Sequence, residues 1–77
     1  MAITVRYFAS LRERVGRAAD RLEAGDGTTV GALWQRATGE AELPERVLMA
    51  VNHRYVEPQT RVSDGDEVAF FPPVTGG

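Results

Sequence analysis

The sequence contains no cysteine and no lysine, and no apolar run approaches the length of a membrane span. Without cysteine, the chain cannot form disulfides, Cys-type zinc sites or a cysteine nucleophile. A membrane helix needs about 20 consecutive apolar residues, and the first residues, MAITVRYF, lack the charged-then-apolar layout of a signal peptide. These absences predict a soluble, cytoplasmic protein with no membrane segment.

The basic residues are nine arginines, set against eleven acidic residues, and the formal net charge is −2. Nucleic-acid-binding proteins usually concentrate basic residues on one face, so this composition does not favour a nucleic-acid partner. The lack of lysine has two interpretations. Genomic base composition is the simpler one; the other is that the C-terminus of this chain becomes an electrophile, which a lysine amine could attack and a guanidinium could not.

Recognisable catalytic and ligand-binding patterns are also missing. His53 is the single histidine, and we interpret it as a surface residue in a turn, without a partner at metal-ligand spacing. Asp64, Asp66 and Glu67 lack the ligand spacing of a calcium loop, and the run Gly25-Asp26-Gly27 is too short and too acidic for a phosphate cradle. We therefore expect no independent enzyme, and no metal or cofactor bound by this chain.

Hydrophobic periodicity predicts one small α+β domain. A chain of 77 residues accommodates at most one domain, and a long helix laid across a mixed sheet of four or five strands completes such a core. The predicted elements are a strand over ITVRYF, a short helix between Ser10 and Gly16, a weak strand over 20–24, a helix capped by Thr29 and ended by Gly39, strands over VLMAVN and YVEP, and a last strand ending at Phe71. The predicted domain spans 1–71 and an extended tail spans 72–77.

Finer patterns within these elements predict caps, turns and faces. Ser10 and Glu13 have the spacing of a capping box, and a Gly-Asp-Gly turn is expected at 25–27. The apolar stripe of the long helix comprises Val30, Leu33, Trp34 and Ala37, and Trp34 is the expected centre of the core.

Strict alternation assigns faces to the first and last strands. Ile3, Val5 and Tyr7 form the expected core face, which leaves Phe8 on the other side. Phe70 and Phe71 cannot both face the core, so we expect Phe71 to face outward and to anchor a protein partner. Phe8 is a second candidate for the same partner-binding surface.

The last six residues form a narrow, stiff tail. They are Pro72, Pro73, Val74, Thr75, Gly76 and Gly77. The prolines lack N–H groups and have a fixed φ, and the diglycine has no side chains, so an extended tail of about 20 Å could enter a tight channel. A terminal carboxylate is ionised at neutral pH and is a poor electrophile, so another protein would have to activate it. The alternative is a disordered end whose glycines have no role; a diglycine alone would favour it, but the rigid Pro72-Pro73 before the diglycine favours a carrier whose reactive group is its own C-terminus.

The segment DGDEVAFFPPVTGG closely resembles the C-terminal signature of the molybdopterin synthase small subunits, which are sulfur carriers with the ubiquitin-like β-grasp fold. VRYFASLRERVG resembles the opening strand and helix of that family, and MAVNHRYV resembles its central segment. The resemblance runs the length of the chain, and the tail motif is the most specific part.

The resemblance implies a reaction cycle carried by Gly77. An adenylating enzyme similar to ubiquitin-activating enzymes would use ATP and Mg²⁺ to adenylate Gly77, and a sulfurtransferase system would convert it to a thiocarboxylate. The tail, with Pro72 to Gly76, would insert into the large synthase subunit and pass sulfur to cyclic pyranopterin monophosphate. In the family, two small subunits flank a dimer of the large subunit, which is expected to supply the catalytic residues.

Two other functions remain open from the sequence. A sulfur carrier for thiamine synthesis or tRNA thiolation, or a protein modifier, would use the same diglycine end. A non-covalent β-grasp interaction module would not depend on it, and would tolerate residues added after Gly77.

Overall fold

The computed structural model describes residues 2–23, 28–40 and 46–73. These ranges contain the strands β1 (Ile3–Tyr7), β2 (Ala19–Leu22), β3 (Leu48–Val51), β4 (Arg54–Tyr55) and β5 (Glu67–Phe71), and the helices α1 (Ser10–Val15) and α2 (Val30–Thr38). The predicted turn at 25–27, most of the loop predicted before residue 47, and the tail residues 74–77 lie outside the described residues.

The strands form one five-stranded sheet in the order β2-β1-β5-β3-β4. β1 and β5 run parallel at its centre, and the other neighbouring strands are antiparallel. The buried side chains of α2 join those of β1 and β5 in one core, which leaves the opposite face of the sheet without a covering layer among the described residues. The predicted α+β architecture with a mixed sheet is confirmed.

The core forms where the inner faces of β1 and β5 meet α2. Its fully buried residues are Ile3, Val5, Tyr7, Val30, Leu33, Trp34, Val68 and Phe70. The Trp34 ring packs edge-on against Phe70, with the centroids 5.1 Å apart, and against Tyr7 at 6.4 Å. The predicted central position of Trp34 and the predicted core face of β1 are both confirmed.

Tyr7 carries a hydroxyl group at the edge of this core. The hydroxyl donates a hydrogen bond of 2.9 Å to Asp20 Oδ2 in β2, and Arg17 Nε contacts both oxygens of the same carboxylate. Burial, reinforced by the Asp20 hydrogen bond, raises the pKa of Tyr7 to about 12. The polar cluster of Tyr7, Asp20 and Arg17 thereby links β1, β2 and the turn before β2.

The cap of α1 differs from the sequence prediction. The N-cap residue is Ala9, with φ 53° and ψ −129°, and no side chain caps the helix. The predicted capping box of Ser10 and Glu13 is therefore wrong, because Ser10 is already the first helical residue. The C-terminal stop is as predicted, with Gly16 in the left-handed conformation at φ 85°.

Both ends of α2 follow the prediction. Thr29 Oγ1 accepts a hydrogen bond of 3.2 Å from the Ala32 N–H, and Gly39 ends the helix at φ 78°. The Val30 N–H donates to the Thr60 carbonyl at 2.9 Å. Free backbone N–H groups at the N-terminus of α2 are thus satisfied by hydrogen bonds within this chain. No helix in the described ranges has the length and apolar character needed to cross a membrane.

Three of the strands, β2, β3 and β4, are shorter or less buried than predicted. β2 covers 19–22 rather than 20–24, and β4 is confined to Arg54–Tyr55. We expected the run before Asn52 to be buried on both sides or at a junction, yet in β3 Met49 alone is buried. Leu48 and Ala50 are half-buried because they lie on the open outer face of the sheet, and Val51 packs at the margin of the core on the inner face.

Candidate docking groove and tail exit

The register of the strands determines which side chains share the open face. Residues paired across neighbouring strands point to the same side of a sheet. Val68 and Phe70 point to the core, so Glu67, Ala69 and Phe71 of β5 point outward. Ala69 is flanked by Arg6 of β1 and Ala50 of β3, and Ala50 is in turn flanked by Tyr55 of β4.

These outward residues enclose a depression of about 640 Å³, which we call the outer groove. It is lined by Arg6, Phe8, Ala50, His53, Tyr55, Glu67, Ala69 and Phe71. Ala50 and Ala69 are neighbours in the middle of the sheet, where their small side chains leave space between larger ones. The groove therefore exists because two central positions carry alanine.

The aromatic residues of the groove come from three different elements. Phe71 ends β5 and packs against Tyr55, with the ring centroids 5.7 Å apart. Phe8 follows β1, and its backbone N–H donates to the Phe70 carbonyl at 3.1 Å. Phe8 is 40% exposed and Tyr55 is 74% exposed. Exposed aromatic side chains on a rigid sheet are typical anchors of protein–protein interfaces.

The remaining side of the groove is charged. Arg6 Nε lies 2.8 Å from Glu67 Oε2, and His53 Nε2 lies 3.6 Å from Glu67 Oε1. The two oxygens of this carboxylate therefore face two different basic side chains. The groove thus has an aromatic half, formed by Phe8, Tyr55 and Phe71, and a charged half, in which the Glu67 carboxylate lies between Arg6 and His53.

The turn between β3 and β4 fixes the position of His53. Asn52 and His53 both have positive φ, at 50° and 71°, as a tight two-residue turn requires. The Asn52 side chain donates to Asp66 Oδ1 and accepts from the Glu67 N–H, each at 3.0 Å. These bonds join the turn to the start of β5, so His53 is held beside Glu67.

The tail leaves the fold at the groove. Phe71 is the last residue of β5, and Pro72 and Pro73, both half-buried, follow it directly. Val74, Thr75, Gly76 and Gly77 lie outside the described residues. The outward position predicted for Phe71 is observed, and the structure brings Phe8 to the same surface. The position of the tail residues beyond Pro73 stays a prediction.

Several groove residues were missed from the sequence. The sequence predicts that Tyr55 belongs to a strand but not which face it occupies, and it predicts that His53 is a surface residue without a partner. The exposure of His53 is confirmed, but its contact with Glu67 depends on the hairpin register and on the central position of β5, which no local pattern reveals. A cluster of His, Asp and Glu suited to a metal ion does not occur among residues 2–23, 28–40 and 46–73.

Comparisons with known proteins identify the family. The model of the ThiS family matches residues 5–77. The chain belongs to the ThiS family. It is 43% identical over 81 residues to the molybdopterin synthase sulfur carrier subunit of Escherichia coli (strain K12), covering 97% of this chain and 99% of that one. The resemblance to sulfur carriers noted from the tail motif is thus confirmed over the full length.

Solved structures confirm the ubiquitin-like β-grasp fold of this ThiS-family chain. The small archaeal modifier protein 1 of H. volcanii matches with a TM-score of 0.79 and 25% identity, over 95% of this chain and 98% of that one. A chain in the complex of subunits 1 and 2 of molybdopterin-converting factor from Helicobacter pylori 26695 matches with a TM-score of 0.67 and 23% identity, over the full length of both.

Proposed function

We propose that this chain is the sulfur carrier subunit of molybdopterin synthase, with Gly77 as the group that carries the sulfur. The observation that supports this proposal best is the continuity of the outer groove with the tail. Phe71 lies in the groove and Pro72 is the next residue. A partner that binds the groove therefore also fixes the point from which the tail departs.

This continuity matters because the reactive end must reach a catalytic site on another protein. A tail that enters a catalytic channel must be ordered there, and ordering each residue costs roughly 1–2 kcal/mol. Pro72 and Pro73 reduce that cost because their φ is fixed before binding. The aromatic groove supplies docking energy, and the stiff segment directs Gly76 and Gly77 into the partner.

The chemistry at Gly77 begins with its carboxylate. A carboxylate oxygen attacks the α-phosphorus of ATP, pyrophosphate leaves, and an acyl-adenylate forms; sulfide delivered by a donor then displaces AMP and gives a thiocarboxylate. This sulfur attacks an electrophilic carbon of cyclic pyranopterin monophosphate, where a carbon–sulfur bond replaces a carbon–oxygen bond and the oxygen substituent leaves. Water then cleaves the acyl–sulfur bond, and the sulfur stays on the pterin as a thiolate. Gly77 returns as a carboxylate, ready for another cycle.

The partners follow from these steps. An adenylyltransferase similar to ubiquitin-activating enzymes uses ATP and Mg²⁺ to adenylate Gly77, and a sulfurtransferase supplies the sulfur. The large subunit of molybdopterin synthase accepts the tail in a heterotetramer and contributes the catalytic residues. The similarity to the molybdopterin synthase sulfur carrier subunit of E. coli supports an assembly of this kind.

A second candidate is a protein modifier or a carrier for another thiolation pathway. The likeness to an archaeal modifier protein favours it, and the same activated Gly77 would serve it. The two functions differ in the acceptor: a modifier forms an amide with a protein amine, whereas the proposed carrier releases its sulfur to a pterin and forms no conjugate.

Reconstitution tests the proposal directly. The thiocarboxylated chain is mixed with the large subunit and cyclic pyranopterin monophosphate, and molybdopterin is measured with wild type and with a variant lacking Gly77. We expect product with wild type alone. Molybdopterin formed equally by the shortened variant would contradict the proposal, and so would a wild-type chain that binds the large subunit without transferring sulfur.

A further inference from the structure

We infer that the outer groove recognises an acidic side chain of the large subunit, and that Arg6 and His53 are the residues that bind it. The inference rests on the proposed function, because it takes the large subunit as the occupant. It adds a specific chemical requirement: beside an apolar side chain that enters the aromatic half, the partner presents a carboxylate to the charged half.

The order of exposure among the charged side chains indicates the sign of the partner group. The side chain of Glu67 is 33% exposed, whereas those of Arg6 and His53 are 54% and 90% exposed. An approaching protein therefore meets two basic groups before it meets the carboxylate. Since Glu67 already faces a base at each oxygen, a basic partner group would have to displace one of them.

The backbone at His53 gives an independent reason to assign it a role. A two-residue turn with positive φ at both positions favours glycine at the second position, yet His53 occupies it at φ 71°. A non-glycine residue in this region carries strain of order 1 kcal/mol or more, and such residues cluster at functional sites. The strain is explained if the imidazole is needed on the groove.

The shape of the groove defines the apolar part of the ligand. Ala50 and Ala69 form the floor, and Phe8, Tyr55 and Phe71 stand around it. A single protruding aliphatic or aromatic side chain fits between these rings. Once it is seated, the neighbouring charges lose part of their contact with water, and a pairing that would be weak on an open surface becomes stronger.

The test replaces basic and acidic side chains of the groove one at a time by neutral glutamine, and it includes a matched control. Arg6→Gln and His53→Gln each remove a base from the groove, and Glu67→Gln removes the competing carboxylate. Arg54→Gln is the control, because Arg54 pairs with Val51 on the inner side of the sheet and does not line the groove. The affinity and the association rate for the large subunit are measured at low and high salt.

We expect Arg6→Gln and His53→Gln each to weaken binding about five- to tenfold, and Arg6→Gln also to slow association and reduce the salt dependence. Glu67→Gln should bind as tightly as wild type or more tightly, and Arg54→Gln should match wild type. A fourth variant, His53→Arg, should retain wild-type affinity.

Glu67→Gln is expected to keep or increase the affinity, whereas the other two substitutions decrease it, and this difference separates recognition from a structural role. If the three side chains merely stabilised the sheet, removing any of them would weaken binding in step with a lower melting temperature. Weaker binding by Glu67→Gln, or unchanged binding by Arg6→Gln and His53→Gln, would overturn the inference while leaving the proposed function intact. Failure of the wild-type chain to bind the large subunit at all would instead reject the proposed function.

Discussion

At the residue scale, strained backbone positions flank the groove on both sides. Ala9 follows Phe8 and His53 precedes β4, and each has a φ that disfavours residues with a Cβ. The positive φ of Ala9 was not predicted, because alanine gives no signal for it, and at His53 the sequence predicted a turn but not its type. The strain at Ala9 also explains why the α1 cap could not be read from the Ser10 and Glu13 spacing.

Ala9→Gly should stabilise the fold. At φ 53° and ψ −129° glycine is much less strained than alanine, and this relief outweighs the extra chain entropy of glycine in the unfolded state. We expect a gain of about 1 kcal/mol in the free energy of unfolding by urea denaturation. Ala18→Gly is the control, since Ala18 has no positive φ. An equal or lower stability for Ala9→Gly would show that the strain is negligible.

Tyr7 should make stability fall at high pH. Its pKa is raised in the fold from 10.0 to about 12, so the unfolded phenol ionises first. The stabilisation is complete below pH 10 and is lost as the pH rises through 12, by up to about 2 kcal/mol. Tyr7→Phe should flatten this part of the pH profile of the unfolding free energy.

Tyr7→Phe isolates the effect, because it differs from wild type only in the hydroxyl group of that side chain. Identical alkaline losses in wild type and Tyr7→Phe would show that the Tyr7 hydroxyl is not the group responsible.

At the element scale, alternate residues of β5 face the core and the groove. This division was predictable, because two consecutive phenylalanines in a strand must point to opposite faces. The composition of the groove was not predictable, since it depends on β5 lying between β1 and β3. Strand order places Ala50, Ala69 and Arg6 side by side, although they are far apart in the sequence.

Paired alanine substitutions in β5 separate its two functions. Phe70 is fully buried, so Phe70→Ala should cost roughly 3–5 kcal/mol of stability and lower the melting temperature sharply. Phe71→Ala should leave circular dichroism and melting near wild type. It should weaken binding to the large subunit about 30-fold, as expected for an interface anchor worth 2 kcal/mol.

The outcome is decisive because the two residues are chemically identical neighbours. Unchanged affinity for Phe71→Ala, or a loss of stability as large as that of Phe70→Ala, would remove Phe71 from the interface. Calorimetric titration and thermal melting on the same samples provide both readings.

At the scale of the whole molecule, the fold and the reactive end have separate tasks. The α+β class, the long helix and the two-sided last strand could be predicted because each rests on a local period or cap. The tail motif indicated the family because the segment PPVTGG offers neither sheet pairing at its prolines nor side chains to pack at its glycines, so its pattern is not explained by folding. The turn at His53 between two strands was also predictable, because its signal is local. The register of the β3–β4 hairpin and the charged half of the groove could not be predicted, since the charged half depends on contacts between β1, β5 and the hairpin turn, which are distant in the sequence.

The central claim is that Gly77 becomes a thiocarboxylate. The chain is incubated with ATP, Mg²⁺, the adenylyltransferase and a sulfur donor, and its intact mass is then measured. Controls are a variant lacking Gly77, a variant extended by one residue, and Gly76→Val, in which a β-branched side chain should obstruct the narrow channel. We predict that the wild-type mass rises by the difference between one sulfur and one oxygen, and that the variants stay unchanged with melting temperatures like that of wild type. An unmodified wild-type chain, or the same gain in the variant without Gly77, would contradict the account.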